Sequence, residues 1–386
     1  MARASRRRGR PTRGDLLAIA VGAGLVLALM VLTALYRPAL EDAATDDTIA
    51  AAAVVDDSGA EQASGPSSAA PFSLVWVGDM MLGSTTPDPR LPADAEASFS
   101  GVRDLLEADV VTGNLEGPIT DEGPKSKCEG RSDCYMFSQP PEYAGIYKDA
   151  GFDVVNLANN HSNDRGEPGR QSTMALLDKA GVAYTGLPGQ VVEKVVNGTR
   201  VGFLGFSHYT ATNSITDLDE VKRQIEAAGG RNDVVVVFFH GGLEGDSGTH
   251  IRHSGDPGAD FIEFAHAAVD AGADLVAGSG PHVLRAMEIY KDRLIAYSLG
   301  NFATYGWFSL TSTTSTSAVL AVDLGADGSF RGGKLMPTKL TGKGTATKGG
   351  DAIARVRRLN ASDLPETGVE ISDEGVLSAP AADASG

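Results

Sequence analysis

Five short clusters hold most of the side chains in this sequence that could do chemistry. They are Gly78-Asp79-Met80-Met81-Leu82, Gly113-Asn114-Leu115-Glu116, Asn159-Asn160-His161, His240-Gly241-Gly242-Leu243-Glu244 and Gly280-Pro281-His282. Carboxylates, amides and imidazoles in this mixture are the oxygen and nitrogen donors that divalent metal ions accept. A metal so held activates water and neutralises charge on a phosphoryl or carbonyl oxygen. Alone, each cluster has an ordinary reading. Asp79 would cap a turn, Glu116 would be solvated, and His240 and His282 would be satisfied buried histidines. Asn159-Asn160-His161 is more specific, because three amide and imidazole groups in a row gain little for a core and suit a ligand beside an acid. Asp164, Arg165 and Gly166 follow closely enough to orient that loop.

What must position these groups is a set of apolar runs. Residues 72–77, 109–112, 152–157, 234–239 and 274–277 each lead directly into one cluster. In open α/β sheets, ligands bind beyond the carboxyl ends of strands. Helical patterns at 102–108, 142–150, 169–180, 217–228 and 260–271 alternate with these runs, which predicts βαβ units. Residues 194–196 and 201–206 read as a hairpin across Asn197-Gly198. Residues 284–289, 294–298, 317–324 and 330–336 form a strand-rich C-terminal portion, expected to make a second sheet packed on the first. The fold class expected is therefore α/β, a layered sandwich, with a last helix at 351–359 and a frayed chain after Val376. Asn301, in Ser298-Leu299-Gly300-Asn301-Phe302, also ends a strand and is expected to face the same cleft, and His208 to line it. His250 and His253 read as surface-loop residues, and His266 as structural.

The two ends differ from this middle. Six arginines precede residues 16–36, an uncharged run of 21 residues. As a helix this run would be about 31 Å long, enough to cross a hydrocarbon core. The reading is an uncleaved anchor: residues 1–15 cytoplasmic, 16–36 spanning the membrane, and everything after it extracellular. Residues 37–71 are an acidic, Ala/Asp/Ser/Gly-rich tether, with no Lys or Arg from Pro38 to Pro71. The folded domain is expected over 72–345, followed by a C-terminal extension at 346–386. The formal charge is −17, and with seven Arg and one Asp in residues 1–37, residues 38–386 hold −23. A chain so acidic repels nucleic acid, and it repels anionic polymers except where a bound metal inverts the local sign. Cys128 and Cys134 are the two cysteines, and outside the membrane a disulfide closing this short loop is expected. Leu364-Pro365-Glu366-Thr367-Gly368 resembles a cell-wall sorting signal but lacks the apolar segment and basic tail, so it reads as an ordinary loop. No Gly-x-Ser-x-Gly elbow, P-loop or His-Glu-x-x-His spacing occurs, which disfavours serine-nucleophile, nucleotide-driven and zinc-protease chemistry.

Six strings together resemble the CapA/PgsA family of bacterial capsule and poly-γ-glutamate synthesis proteins, relatives of the calcineurin-like metallophosphoesterases. They are residues 77–83, 113–119, 156–166, 240–244, 280–283 and 297–302. The resemblance implies a four-layer α/β/β/α sandwich of metallophosphoesterase type holding one or two Mn, Zn or Fe ions. It implies Asp79, Glu116, Asn160, His240 and His282 as metal ligands. His161, with Asp164, would be the catalytic acid, and Asn114, Asn159, Glu244 and Asn301 would meet substrate. The partners implied are an anionic extracellular polymer or its precursors and other capsule-synthesis membrane proteins. The function implied is synthesis, export or attachment of that polymer. The alternative is a non-catalytic polymer-binding or assembly subunit that keeps the metal. Two departures bear on this: Ser279 stands where the family often has His, and Gly241 where it usually has Trp. The loss of one imidazole makes one ion as well supported as two.

Overall fold

The computed structural model describes residues 69–124, 128, 134–251, 260–311 and 313–380. The anchor expected at 16–36, the basic segment before it, most of the linker after it and His253 lie outside the described residues. Among the described residues no helix is long and apolar enough to cross a membrane.

Strands β1 (Phe72–Met81), β2 (Val110–Leu115), β3 (Val154–Asn156) and β4 (Ala183–Thr185) pair in parallel. Helices α1 (Tyr143–Asp149) and α2 (Gly166–Ala180) carry the chain back between them. A second sheet then forms from β5 (Val192–Val196), β6 (Thr199–Ser207), β7 (Asn213–Ser214), β8 (Val234–His240), β9 (Leu275–Ser279), β10 (Met287–Tyr290) and β11 (Arg293–Ala296). Its order is β10-β11-β9-β8-β6-β5, with β7 on β6. Helix α3 (Leu218–Gly229) precedes β8 and α4 (Phe261–Asp270) precedes β9. Aspartates start both: Asp217 accepts from Glu220 N, and Asp260 from Ile262 N and Glu263 N, satisfying amides the helix leaves open. The hairpin turn between β5 and β6 falls at Asn197-Gly198, both with positive φ, as the twist of a two-residue turn requires.

The chain finally returns to the first sheet. β12 (Asn301–Thr304) runs parallel beside the end of β1, and β13 (Thr316–Leu324) antiparallel beside its start. β14 (Phe330–Thr341) and β15 (Thr345–Lys348) extend that edge, followed by α5 (Ala352–Asp363), β16 (Glu370–Ile371) and β17 (Val376–Ser378). The first sheet reads β16-β17-β14-β13-β1-β2-β3-β4. The close approach of β12 depends on Gly78, where a Cβ would stand 1.9 Å from Gly300 O.

Alternation along the strands divides the interior into three cores. Leu74 and Trp76 of β1 meet Val236 and Phe238 of β8 between the sheets, and the Trp76 and Phe238 rings stack at 4.3 Å. Val75 and Val77 face the other way, toward Phe99, Tyr147 and Leu177. Val237 and Phe239 face Val221, Ile225 and Phe264 of the second helical layer. The order of layers is α/β/β/α, with Ala352 and Val356 of α5 joining the central core.

Three expectations need correction. The C-terminal strands do not build the second sheet alone, because β10 and β11 join it while β12 to β17 complete the first. A run of apolar residues specifies a buried strand but not its partner. The pattern at 102–108 yields only a one-turn 3-10 helix, Arg103–Leu105. The boundary expected at 345/346 falls inside β15, and β17 continues past Val376 with Leu377 paired to β14, while residues 381–386 of the expected frayed end lie outside the described residues. Leu377 is buried in the central core, which is what retains it. Leu364 to Gly368 is a loop whose Thr367 hydroxyl donates to Glu288 at 2.6 Å.

Candidate metal centre

The ends of β1, β2, β8 and β9 converge. Asp79 sits near the end of β1, Glu116 follows β2, His240 ends β8, and His282 follows β9. Donor atoms of Asp79, Glu116 and His282 all lie within 4.8 Å of one another. His282 Nδ1 is 3.0 Å from Asp79 Oδ2, and its Nε2 is 3.6 Å from Glu116 Oε1. His240 spans the same pair, with Nδ1 3.7 Å from Asp79 Oδ1 and Nε2 3.8 Å from Glu116 Oε1. Gly280 N, at 3.3 Å, donates to Asp79 Oδ2. His282 adopts φ 61°, a left-handed conformation unusual for a side-chain-bearing residue. Such strain persists where surrounding structure holds it and clusters at functional sites.

These residues fit a divalent cation, and Glu116 carries the test. It is fully buried, and neither carboxylate oxygen has a hydrogen-bond partner among the described residues. A buried carboxylate left without donors is costly unless a cation occupies the space it faces. Two carboxylates with two imidazoles are a donor set suited to Mn, Zn or Fe.

Burial pushes Glu116 well above the ordinary carboxylate range, and His282 only partly opposes this. Burial also pushes Asp79 up, but the hydrogen bond and charge of His282, with His240, hold it below its usual value. Burial lowers His240 to about 3, so its imidazole is neutral, with one ring nitrogen unprotonated. For His282 burial acts downward, but the facing Glu116 and Asp79 outweigh it and raise the ring to about 10.

Behind the ligands lies a layer of amides. Asn114 donates to Asp79 Oδ1 at 2.8 Å, and its Nδ2 is 3.1 Å from His240 Nδ1. Asn156 and Asn159 in turn donate to Asn114 Oδ1 at 3.0 and 3.2 Å. Asn159 also donates to Leu115 O and accepts from His161 N. Asn114 and Asn159, expected to meet substrate, are buried and face inward to fix the ligands, so that expectation is corrected. Their acceptors all belong to the site, and burial leaves them no surface toward the cleft. Ser279 Oγ is 3.1 Å from His240 Nδ1, so this hydroxyl helps orient the ring.

In front is a cleft of about 500 Å³ lined by Asn160, His161, Glu244, His282 and Asn301. Asn160, expected as a ligand, is half-buried on this wall with its Oδ1 buried. Glu244 is exposed at the mouth, 3.9 Å from His282 Nε2. Asn301 donates to Thr314 O at 3.1 Å. His161 Nδ1 lies 2.7 Å from Asp164 Oδ2, which also accepts from Phe137 N. Asp164 is 1% exposed and does not line the cleft, so it positions His161 and does not itself meet substrate. Phe137 lies 4.3 Å from the His161 ring, and Phe308 meets His282 edge-on at 4.9 Å. Cys128 and Cys134 form the expected disulfide, and Cys134 and Tyr135 reach the cleft. Phe137, Trp307 and Phe308 were not legible as site residues, because no pattern marks a loop aromatic as a wall. Asn156 could have been found, as it is a polar residue ending the apolar run that leads into the third cluster. His208 does not line the cleft; its ring packs at 3.9 Å on Tyr209, which faces His240. His250 bonds Asp363 and His266 bonds Glu288, both away from the centre.

The fold and site define an α/β protein with a buried cluster of acidic and imidazole groups, whose donors fit a divalent cation, under an aromatic-walled cleft. Residues 73–305 match the bacterial capsule synthesis protein PGA_cap family, and the chain belongs to that family. It is 31% identical over 279 residues to the capsule biosynthesis protein CapA of Bacillus anthracis, covering 67% of this chain and 65% of that one. It is 30% identical to the PGA biosynthesis protein CapA of Bacillus subtilis, covering 67% and 70%. The chain thus spans about two thirds of the length of these relatives. A solved Staphylococcus aureus structure assigned as a 5'-nucleotidase aligns with a TM-score of 0.43 at 14% identity, covering 75% of this chain and 58% of that one. That similarity is too slight to define fold or chemistry.

Proposed function

We propose that this chain is a membrane-anchored extracellular protein that acts in the synthesis, export or attachment of a capsule or poly-γ-glutamate-type polymer. It does so through a metal-dependent hydrolytic site of phosphoesterase type. Family membership and the names of the Bacillus relatives, proteins of capsule and PGA biosynthesis, support the polymer role. The arginine-flanked run at 16–36 supports the anchor and the extracellular placement. The observation that carries the hydrolytic reading is the buried Glu116 carboxylate without donors, beside Asp79, His240 and His282.

Asp79, Glu116, His240 and His282 would hold the ion, and a bound ion supplies Lewis acidity and an activated water. The chain's own residues do the rest. Asp164 holds His161 Nδ1, leaving Nε2 as the nitrogen that passes a proton to a leaving group. Phe137 fixes the plane of that ring. Asn114 and Ser279 hold His240 Nδ1 and so fix the orientation of a ring that would be one of the ligands. Asn160, Asn301 and Glu244 remain at the cleft for the scissile group and its neighbours.

A second reading, a polymer-binding or assembly subunit without turnover, draws on Ser279, which removes one imidazole from a two-ion site. The test uses the purified full-length chain. It combines elemental analysis after chelation and reloading with a screen of phosphodiester and amide substrates against His161→Ala. Stoichiometric metal with His161-dependent turnover supports hydrolysis. Metal without it supports the second reading, and a chain that takes up no metal overturns both.

A further inference from the structure

Beside the metal cleft lies a second cavity, of about 560 Å³, that shares Phe308 with it and is lined by Arg90 and Lys343. Among the described residues no carboxylate lines it. Among the described residues, neither cation has a carboxylate within ion-pair distance, whereas other surface cations do: Arg200 with Asp233, Lys291 with Asp270, Arg357 with Asp373. In a chain with a net −17, two adjacent cations without acidic partners are unexpected unless an anion meets them.

The cations stand on loops fastened to one another. Arg90 exchanges backbone hydrogen bonds with Ser84, and its guanidinium donates to Gly306 O at 2.8 Å while lying 3.8 Å over the Trp307 ring. Gly306 N donates to Lys343 O at 2.7 Å, which ties the turn between β14 and β15 to the same wall. Arg90, an exposed residue of the second cavity, is thereby held in place against Trp307 of the metal cleft. Among the described residues the metal cleft is lined by no Lys or Arg, and it carries Glu244 at its mouth.

We infer that the Arg90/Lys343 cavity is a substrate subsite that binds a carboxylate of a polyanionic chain whose scissile group lies in the metal cleft. The inference rests on the proposed function and names the feature of the substrate that the cleft by itself does not select. The subsite gives an acidic protein a local route to bind an acidic polymer, since two cations offset repulsion where the chain enters.

Titrate the full-length protein with a pentamer of γ-linked glutamate and follow tryptophan fluorescence. Of the two tryptophans, Trp76 is sealed between the sheets and Trp307 lines the metal cleft beneath the Arg90 guanidinium, so a change reports this region. For Arg90→Gln and Lys343→Gln, binding is expected to weaken about fivefold each, as for exposed charge pairs, and Lys343→Arg to recover it. Lys343 is exposed and makes no side-chain contact that folding needs, so its variant remains informative if Arg90→Gln fails to fold. Wild type that does not bind the pentamer, or binding indifferent to both substitutions, overturns the subsite. Inorganic phosphate competing as strongly as the pentamer also overturns it, in favour of a phosphate site. Metal content measured in the same samples judges the proposed function separately, because neither cation touches the candidate ligands.

Discussion

Glu116 and Glu288 are both buried carboxylates, and they are opposite cases. Glu288, 1% exposed, accepts from Tyr297 Oη at 2.6 Å, Thr367 Oγ1 at 2.6 Å and His266 Nε2 at 2.8 Å. Its negative charge is fully answered by donors from the second sheet, α4 and the loop after α5. Glu116 has no donor at hydrogen-bond distance; around it are another carboxylate and the His240 and His282 rings, at 3.8 and 3.6 Å from its Oε1. A satisfied buried charge fastens elements together, whereas an unsatisfied one marks a place reserved for something the chain does not supply. Burial alone therefore does not identify a functional carboxylate, but its donors do.

The sharpest way to break this comparison is to remove a ligand. Asp79→Asn and Glu116→Gln should each lower metal affinity by more than about 100-fold, measured by competition with a chelating dye, while Glu288→Gln leaves it unchanged. Stability should respond in the opposite sense. Glu288→Ala should cost about 3 kcal/mol in urea unfolding, because three donors lose their acceptor. In chelated protein, Glu116→Leu should raise stability by about 1 kcal/mol by removing a desolvated group. Equal losses at both positions would show that Glu116 is merely structural. Asn114→Ala, which removes a prop and no ligand, should weaken metal binding by about tenfold.

The smallest effect is in pH. His282, raised to about 10, holds its proton in the metal-free chain at neutral pH, and metal must displace it. Metal affinity should therefore climb as pH rises toward that value, with proton release seen by calorimetry in buffers of different ionisation heat. The metal-free fold behaves conversely. The stabilisation from a raised His282 is complete below its ordinary 6.5 and is lost as pH rises toward about 10. Affinity falling with rising pH over this range would remove His282 from the ligand set.

Much of this was readable along the chain. β1, β8 and the hairpin at Asn197-Gly198 appear where β-branched runs and turn residues put them, and α3 and α4 begin at aspartates. The convergence of Asp79, Glu116, His240 and His282 follows from strand ends that share one edge of a layered sheet. The errors have physical causes as well. Asn114 and Asn159 are polar and near ligands, and only packing decides whether an amide faces substrate or props a neighbour. Residues 102–108 have a helical period but too few turns to propagate one, so tertiary contacts of Val102 and Leu106 set a shorter turn.

By itself the sequence determined the strand and helix alternation, the residues at the strand ends and the paired cysteines, because these depend on period, turn chemistry and short spacing. Only the tertiary structure decided which sheet each C-terminal strand joined, which carboxylate was left without donors, and that Arg90 and Lys343 stand together beside the cleft. Those outcomes depend on contacts between residues far apart in the chain, where no local preference chooses among partners.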